Sequence, residues 1–473
     1  MKVLILCLLF VLGSALTPEQ ELRIQEFMDD FLQCSEVPGL SLGIVRNGIQ
    51  ELAAGYGVAD LDTLEPVNGR TLFNIASTSK AFATVLLAKQ LSLNEQRLRF
   101  LQPVFPPRTT FQYTNTMYTL TGIVSEQLAG GWVSWEDLIE QEFFYPLGMY
   151  DSTFVYRTLP EMTGHASPYE RVDGVLQKTP WQMYLGLEAF NPAAGISSNA
   201  EDMNKWMNFL LGHGPIDNSY VSQTFEPELV SSNTPYFSKP TAPVTMEATN
   251  YYARAWYAGH YRGYKTHSHG GDLRGHHTYV YIMPELDIGI FHTFNFQTAK
   301  KQREMVSAFV VDVLLGEEPW FTGFDVCAAG RSEDLDDDVN DPLRTSPAGE
   351  VFTVKDLKKS VSVRTDDYIG MYGNFYYANV TISTEYFEGE TFLRLQFGEG
   401  DYLLGGLGGE SFYMIGHNEL SSRINLGTMS FERDVYNQVT SLTLPGFESL
   451  DPPVFVKGRR MDEAPFPDLH SCN

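Results

Sequence analysis

Ser77 and Lys80 stand three residues apart at the head of a segment, Phe73 to Phe82, that is largely apolar around them. Phe82, Val85, Leu86 and Lys89 follow at spacings of three and four, which predicts a helix over 77–91. Residues three apart share a helix face, so the Lys80 amine reaches the Ser77 hydroxyl. A serine hydroxyl is a poor nucleophile until a neighbour takes its proton. At the helix start the Ser77 backbone N–H also lacks an intrahelical partner and is free to donate to a developing oxyanion. A Ser-x-x-Lys pair by itself is an ordinary surface-helix pair. Here Phe73-Asn74-Ile75-Ala76 and Phe82 bury the helix start, and that favours a site.

Two later motifs supply what such a site needs. Tyr113-Thr114-Asn115 offers a phenol that can relay protons with Lys80, since an adjacent ammonium favours the tyrosinate. Asn115 then holds the lysine or a substrate carbonyl; as plain structure it would cap a helix at 115–129. His269-Gly270-Gly271 sits at the edge of an expected strand. Gly271 lets a substrate backbone approach, and the Asp272 N–H is the second oxyanion donor. His269 belongs to a cluster with His260, His267, His276, His277 and His292. His267 and His269 share a strand face, but no cysteine lies near and the spacing matches no standard zinc site. No metal and no cofactor is assigned.

Lys2, the apolar run Val3 to Leu12 and Gly13-Ser14-Ala15 read as a secretory signal over 1–15, too short to span a bilayer. Removing it takes the formal charge from -26 to -27, since Lys2 is its one charged side chain. That excess argues against nucleic acid and anionic lipid as partners and favours cations or basic surfaces; solubility in an acidic or saline habitat explains it equally well. The remaining cysteines, Cys34, Cys327 and Cys472, allow one bridge and one further thiol, and Cys34–Cys327 would tie the ends of the first domain together. Asn379-Val380-Thr381 is a glycosylation sequon.

Along the chain, Pro18 to Cys34 is expected to be helical, with Leu22, Ile24, Phe27, Phe31 and Leu32 on its apolar face. A hairpin turns at Asn47-Gly48. Helices follow at 115–129, 134–144 and Ala200 to Leu211. Strands alternate with turns over 251–295, and a helix runs from Thr298 to Leu315. Strands at both ends with helices between them imply an α+β domain, an antiparallel sheet flanked by helices, over 16–325. The acidic run 333–338 and Pro342 mark a linker at 326–350. Short strands separated by glycines at 351–460 imply an all-β barrel or sandwich, and 461–473 a tail. The acidic run lacks a calcium-loop pattern and supports only weak calcium or mineral contact.

Taken together, Phe73 to Lys80, Tyr113-Thr114-Asn115 continuing to Tyr118, Leu120 and Gly122, Pro146 to Met149, Ala194-Gly195-Ile196 to Met203 with Trp206, and His269 to Gly275 resemble the serine beta-lactamase-like family of class C beta-lactamases, DD-peptidases and esterase relatives. The resemblance covers about 35–315. It implies Ser77 as nucleophile, Lys80 and Tyr113 as proton-transfer residues, and the Ser77 and Asp272 N–H groups as oxyanion hole. His269 takes the place of a lysine, as in esterase-like members. Residues 351–460 resemble the β-rich domain that many members append. One departure stands out: Tyr113 follows Ser77 by only 36 positions, where relatives carry a longer insert that walls the cleft, so the helical part is reduced. Secreted acidic members resemble shell-matrix components. Two readings follow. One is a secreted serine hydrolase of a small ester, peptide or β-lactam-like substrate, located in an extracellular or shell matrix. The other is an acidic structural or mineral-interacting matrix protein that retains the fold without catalysis.

Overall fold

The computed structural model describes residues 16–89, 111, 113–172, 174–230, 235–238, 245–248, 251–332, 354–357, 364–375, 377–398, 400–418, 421, 426–447 and 452–459. The expected leader, the link at 98–110, the acidic run 333–338, Cys472 and the tail lie outside them. The described residues group into two compact units. One holds 16–89 and 115–332; the other holds the residues from 354 onward together with Phe111, Tyr113 and Thr114.

In the first unit a helix spans Pro18–Cys34, started by a capping box in which the Thr17 hydroxyl accepts from Gln20 N–H and the Gln20 amide oxygen from Thr17 N–H. It buries Ile24, Phe27, Met28 and Phe31. Leu22, expected on that face, points to solvent, because the turn-to-turn stripe runs through Met28 instead. Strands Gly39–Arg46 and Ile49–Gly57 form the expected hairpin. The first of them pairs antiparallel with Ile288–Phe294, Leu42 opposite His292, so the two ends of the unit meet inside one sheet. From there the sheet continues through His276–Met283, Tyr264–Leu273 and Tyr257–Tyr261.

Strand alternation divides the core. Tyr279, Tyr281 and Ile290 face the Pro18–Cys34 and Lys300–Leu315 helices, with Phe27 stacked on Phe309. Val280, Ile282 and Phe291 face the other layer, where Phe82 stacks on Trp206 of the Ala200–Leu210 helix. The helix expected at 134–144 is α only over Trp135–Ile139 and widens into a π turn at Glu140–Phe144. A further helix, Gly323–Ser332, continues past residue 325 into the segment read as linker, and the Cys34–Cys327 disulfide fastens it to the first helix. Among the described residues no helix is long and apolar enough to cross a membrane.

The second unit is a closed barrel of eight antiparallel strands, shut where Gly370–Asn374 pairs with Val454–Lys457. Of the two all-β architectures expected, it is the barrel. Its interior is filled by side chains such as Tyr372, Ile382, Leu395, Phe412, Phe431, Leu442 and Phe455. The Gly400–Gly408 strand escaped the sequence reading because its glycines resemble turn residues. The Tyr413 ring explains Gly405: a Cβ there would stand 2.0 Å from Tyr413 Cζ.

Candidate active site

The backbone leading to Ser77 is suspended between strands. Phe73–Asn74 pairs with Ile196–Ser198, Ile75 N–H donates to Ile196 O at 2.9 Å, and Ile196 N–H donates to Ser79 Oγ at 3.1 Å. Asn74 N–H donates to His276 Nδ1 at 3.2 Å, and Ser197 Oγ donates to Asn74 Oδ1 at 2.8 Å. The helix expected from residue 77 opens as a 3-10 turn, Ala76–Thr78, before the α-helix Ser79–Lys89. Ala76 enters this turn at φ 47°. A left-handed conformation costs a non-glycine residue about 1–3 kcal/mol and is kept where the surroundings over-determine it.

Lys80 is fully buried, with its Nζ 2.8 Å from Ser77 Oγ, 2.6 Å from Asn115 Oδ1 and 2.9 Å from Ala193 O. Asn115 opens the helix Asn115–Leu128, and Ala193 lies in the short helix Asn191–Ala194. The Asn115 and Ala193 oxygens only accept. A neutral amine has two N–H groups and one lone pair. If Asn115 and Ala193 take the two N–H groups, the lone pair is left for the Ser77 O–H. The ammonium form donates its third N–H to Ser77 Oγ in the same geometry. One proton moving along a 2.8 Å bond therefore converts one state into the other without rearranging the cluster.

The strand Tyr264–Leu273 closes the other side. A Cβ on Gly271 would stand 2.3 Å from Ile75 O, so only glycine lets this strand approach the Ser77 turn so closely. Next to it, the Asp272 carboxylate is 2.9 Å from Arg303 Nη1 and 3.1 Å from His277 Nδ1. Arg303, buried on the Lys300–Leu315 helix, also donates to Gly271 O and Thr278 O at 3.3 Å each. The strand edge that carries the Asp272 N–H is thus pinned from the side by a guanidinium.

His269 is buried. Its Nδ1 lies 2.6 Å from Gly270 O, an acceptor only, so Nδ1 carries the proton and Nε2 accepts. Tyr252 OH lies 3.3 Å from that Nε2 and 2.6 Å from Tyr118 OH. The phenols therefore run in one direction, Tyr118 to Tyr252 to His269. Burial first, and then the Lys80 charge, push the His269 pKa down to about 3, so the ring is neutral. Burial raises the Tyr118 phenol above its ordinary value. The Lys80 ammonium sits 5.3 Å over the Tyr118 ring.

The first unit thus brings together Ser77, Lys80 and Asn115, and separately His269, Gly271 and Asp272 along the strand that packs on the Ser77 turn. Tyr113 is half-buried and directly precedes, through Thr114, the helix that supplies Asn115; by its contacts it groups with the second unit. Ala193, Tyr252 and Arg303 were missed by sequence reading, since none stands in a motif and each arrives through a long-range contact. The remaining clustered histidines serve the strands. His276 Nε2 lies 3.0 Å from Ala166 O, His292 Nε2 3.0 Å from Ser307 Oγ, and His267 stacks on Phe225. Among the described residues no group of three or more His, Cys, Asp or Glu is arranged to hold a metal ion. Asn379 lies on the barrel strand Ala378–Phe387, opposite Gly373, with its Oδ1 buried.

A family model described as Beta-lactamase matches residues 24–95 and 93–314, more than half of the chain. The two stretches meet between Ser77 and Tyr113. The chain is 25% identical over 269 residues to Gigasin-6 of Magallana gigas, 44% of this chain and 88% of that one. It is 29% identical over 325 residues to Unguisins hydrolase ungD' of Aspergillus campestris, 54% of this chain and 58% of that one. With Protein flp of Staphylococcus aureus the identity is 23% over 339 residues, 58% of this chain and 63% of that one. The chain therefore spans less than two thirds of the length of the latter two. Among solved structures it is similar to the octameric penicillin-binding protein homologue from Pyrococcus abyssi, with TM-score 0.51 and 17% identity over 91% of this chain and 99% of that one. It is also similar to D-amino acid amidase from Ochrobactrum anthropi SV3, with TM-score 0.51 and 19% identity over 63% of this chain and 99% of that one. At such identities the likeness shows the fold.

Proposed function

The chain belongs to the beta-lactamase family, and from that premise we propose that it is a secreted serine hydrolase that cuts an ester or amide through an acyl-Ser77 intermediate. The observation that carries this is the buried Lys80 amine, 2.8 Å from Ser77 Oγ and bonded also to the acceptor-only oxygens of Asn115 and Ala193. The Ser77 oxygen attacks the carbonyl carbon while its proton passes to Lys80. The oxyanion is met by the Ser77 and Asp272 N–H groups, and the proton then goes to the leaving group. Water repeats the sequence on the acyl-serine, with the same amine as base. Tyr113, two residues upstream of Asn115, is the second proton-transfer residue of this reading. His269 and Gly271 shape the strand edge. The substrate is a small ester, a peptide or a β-lactam-like ring, and 29% identity to a relative named a hydrolase supports the reaction class.

A fluorophosphonate probe tests this: stoichiometric labelling of the protein, abolished in Ser77→Ala, is the expected result. The net charge of -26 favours a second reading, as a non-catalytic acidic protein of an extracellular or shell matrix. No labelling, with calcium carbonate binding unchanged in Ser77→Ala, would select that second reading.

A further inference from the structure

Resting on the hydrolase reading, we infer that the site is specific for uncharged acyl groups and rejects substrates with a carboxylate beside the scissile carbonyl. Among the described residues, the cations that border the Ser77 turn and the Gly270-Gly271 edge, Lys80, Lys300 and Arg303, are each already partnered by the protein itself. Arg303 lies against the edge, with Nη1 3.4 Å from where a Gly270 Cβ would stand, and is 3% exposed. Its charge is met by Asp272 at 2.9 Å, an internal carboxylate in the place a substrate carboxylate would need. A substrate carboxylate could reach the buried Arg303 only by displacing Asp272, whose side chain is 17% exposed, and that exchange of one carboxylate for another returns no net pairing. All three positions on Lys80 Nζ are taken, by Ser77, Asn115 and Ala193. Lys300 rests 4.8 Å over the Tyr257 ring with Glu304 at 3.8 Å.

His269 adds a second obstacle. Its one N–H is given to Gly270 O, and its Nε2 is an acceptor already facing the Tyr252 hydroxyl. An arriving carboxylate would meet a lone pair rather than a donor. The rings beside it are apolar: Tyr252 and Tyr257 meet edge to face at 4.8 Å, and Tyr257 lies 5.6 Å from the His269 ring. Such a wall suits an alkyl or aryl acyl chain. The net charge of -26 adds a long-range repulsion of anions.

The test compares 4-nitrophenyl butyrate with mono-4-nitrophenyl succinate on the full chain, two esters of equal acyl length and the same leaving group. The neutral ester is expected to show a kcat/KM at least about 30-fold higher, the scale of leaving a buried charge unpaired. Equal turnover, or a preference for the succinate, overturns the inference. Asp272→Asn uncovers Arg303 and should narrow the ratio by about 10-fold or more; an unchanged ratio in a folded, labelled variant also overturns it. The fluorophosphonate probe separates the two levels. Labelling with equal turnover removes this inference alone, whereas no labelling and no turnover of either ester removes the hydrolase reading on which it stands.

Discussion

The two units bury their chains in different ways. The first unit encloses Lys80, Asp202, Arg303, Glu304, Asp312 and a set of histidines, each with protein partners; in the barrel, among the described residues, the buried polar side chains are Asp401, Ser421 and Ser441, and the rest of the interior is apolar. Enclosing a charge costs several kcal/mol unless its partners are well placed, so a chain does it where the arrangement has a use beyond cohesion. The barrel interior, among the described residues, is an apolar cluster that provides stability. Part of the first unit's buried polar network, Lys80 with Asn115 and Ala193, and Arg303 with Asp272, meets at the Ser77 turn and the strand beside it, while Asp202 holds Ser152 and Lys205 and Asp312 holds Tyr261 and Arg262.

That contrast can be broken most sharply at Ser77. Ser77→Ala should lower kcat for a neutral aryl ester by about 10³-fold or more while leaving the thermal midpoint nearly unchanged; preserved turnover would show that the polar network is merely structural. Gly271→Ala comes next. Its Cβ would meet Ile75 O at 2.3 Å, the strand edge must shift, and kcat should fall about 100-fold, with a smaller loss in stability read by urea denaturation. The matched change in the barrel is Phe431→Ala, which should cost about 3–5 kcal/mol of barrel stability and leave kcat per folded molecule as it was.

Acid should distinguish the units as well. Burial holds His269, His276 and His292 down at about 3, and His165 and His267 at about 4. An unfolded histidine titrates near 6.5. Between about pH 6.5 and 3 the unfolded chain therefore binds more protons, and the stability of the first unit falls as the pH falls. Circular dichroism with fluorescence from the first unit's tryptophans should show it unfolding at higher pH than a His→Gln variant at 292 does. The smallest effect is expected for Tyr252→Phe, which removes the hydroxyl between Tyr118 and His269. A loss of about 1 kcal/mol and a modest drop in kcat/KM would mark that chain as a positioning device, and no change would remove it from the site.

Much of this was legible in the residues because it is local. Ser77 and Lys80 share a face by helical spacing alone, Asn47-Gly48 specifies a turn, and Tyr279 to Ile282 are β-formers throughout, as suits a strand buried on both faces. Other parts were not, for two physical reasons. Strand identity depends on what covers a residue: Gly405 reads as a turn until the Tyr413 ring is seen lying on it. Partners of a buried charge are chosen by distance in space, so Ala193 and Arg303 carry no signal of their role. Leu22 went astray for a related reason, since a helix stripe can be drawn through either of two neighbouring registers until the sheet selects one.

The residues alone settled which side chains are chemically able to act: a nucleophile, an amine three positions on, and a glycine edge after a histidine. Folding decided their protonation and company. It closed Lys80 on two acceptor-only oxygens, fixed the His269 tautomer through Gly270 O, and gave Arg303 to Asp272. Hydrogen-bond direction and burial are properties of the packed neighbourhood, and that neighbourhood is assembled from segments as far apart in the chain as Lys80 and Ala193, or Ile75 and Gly271.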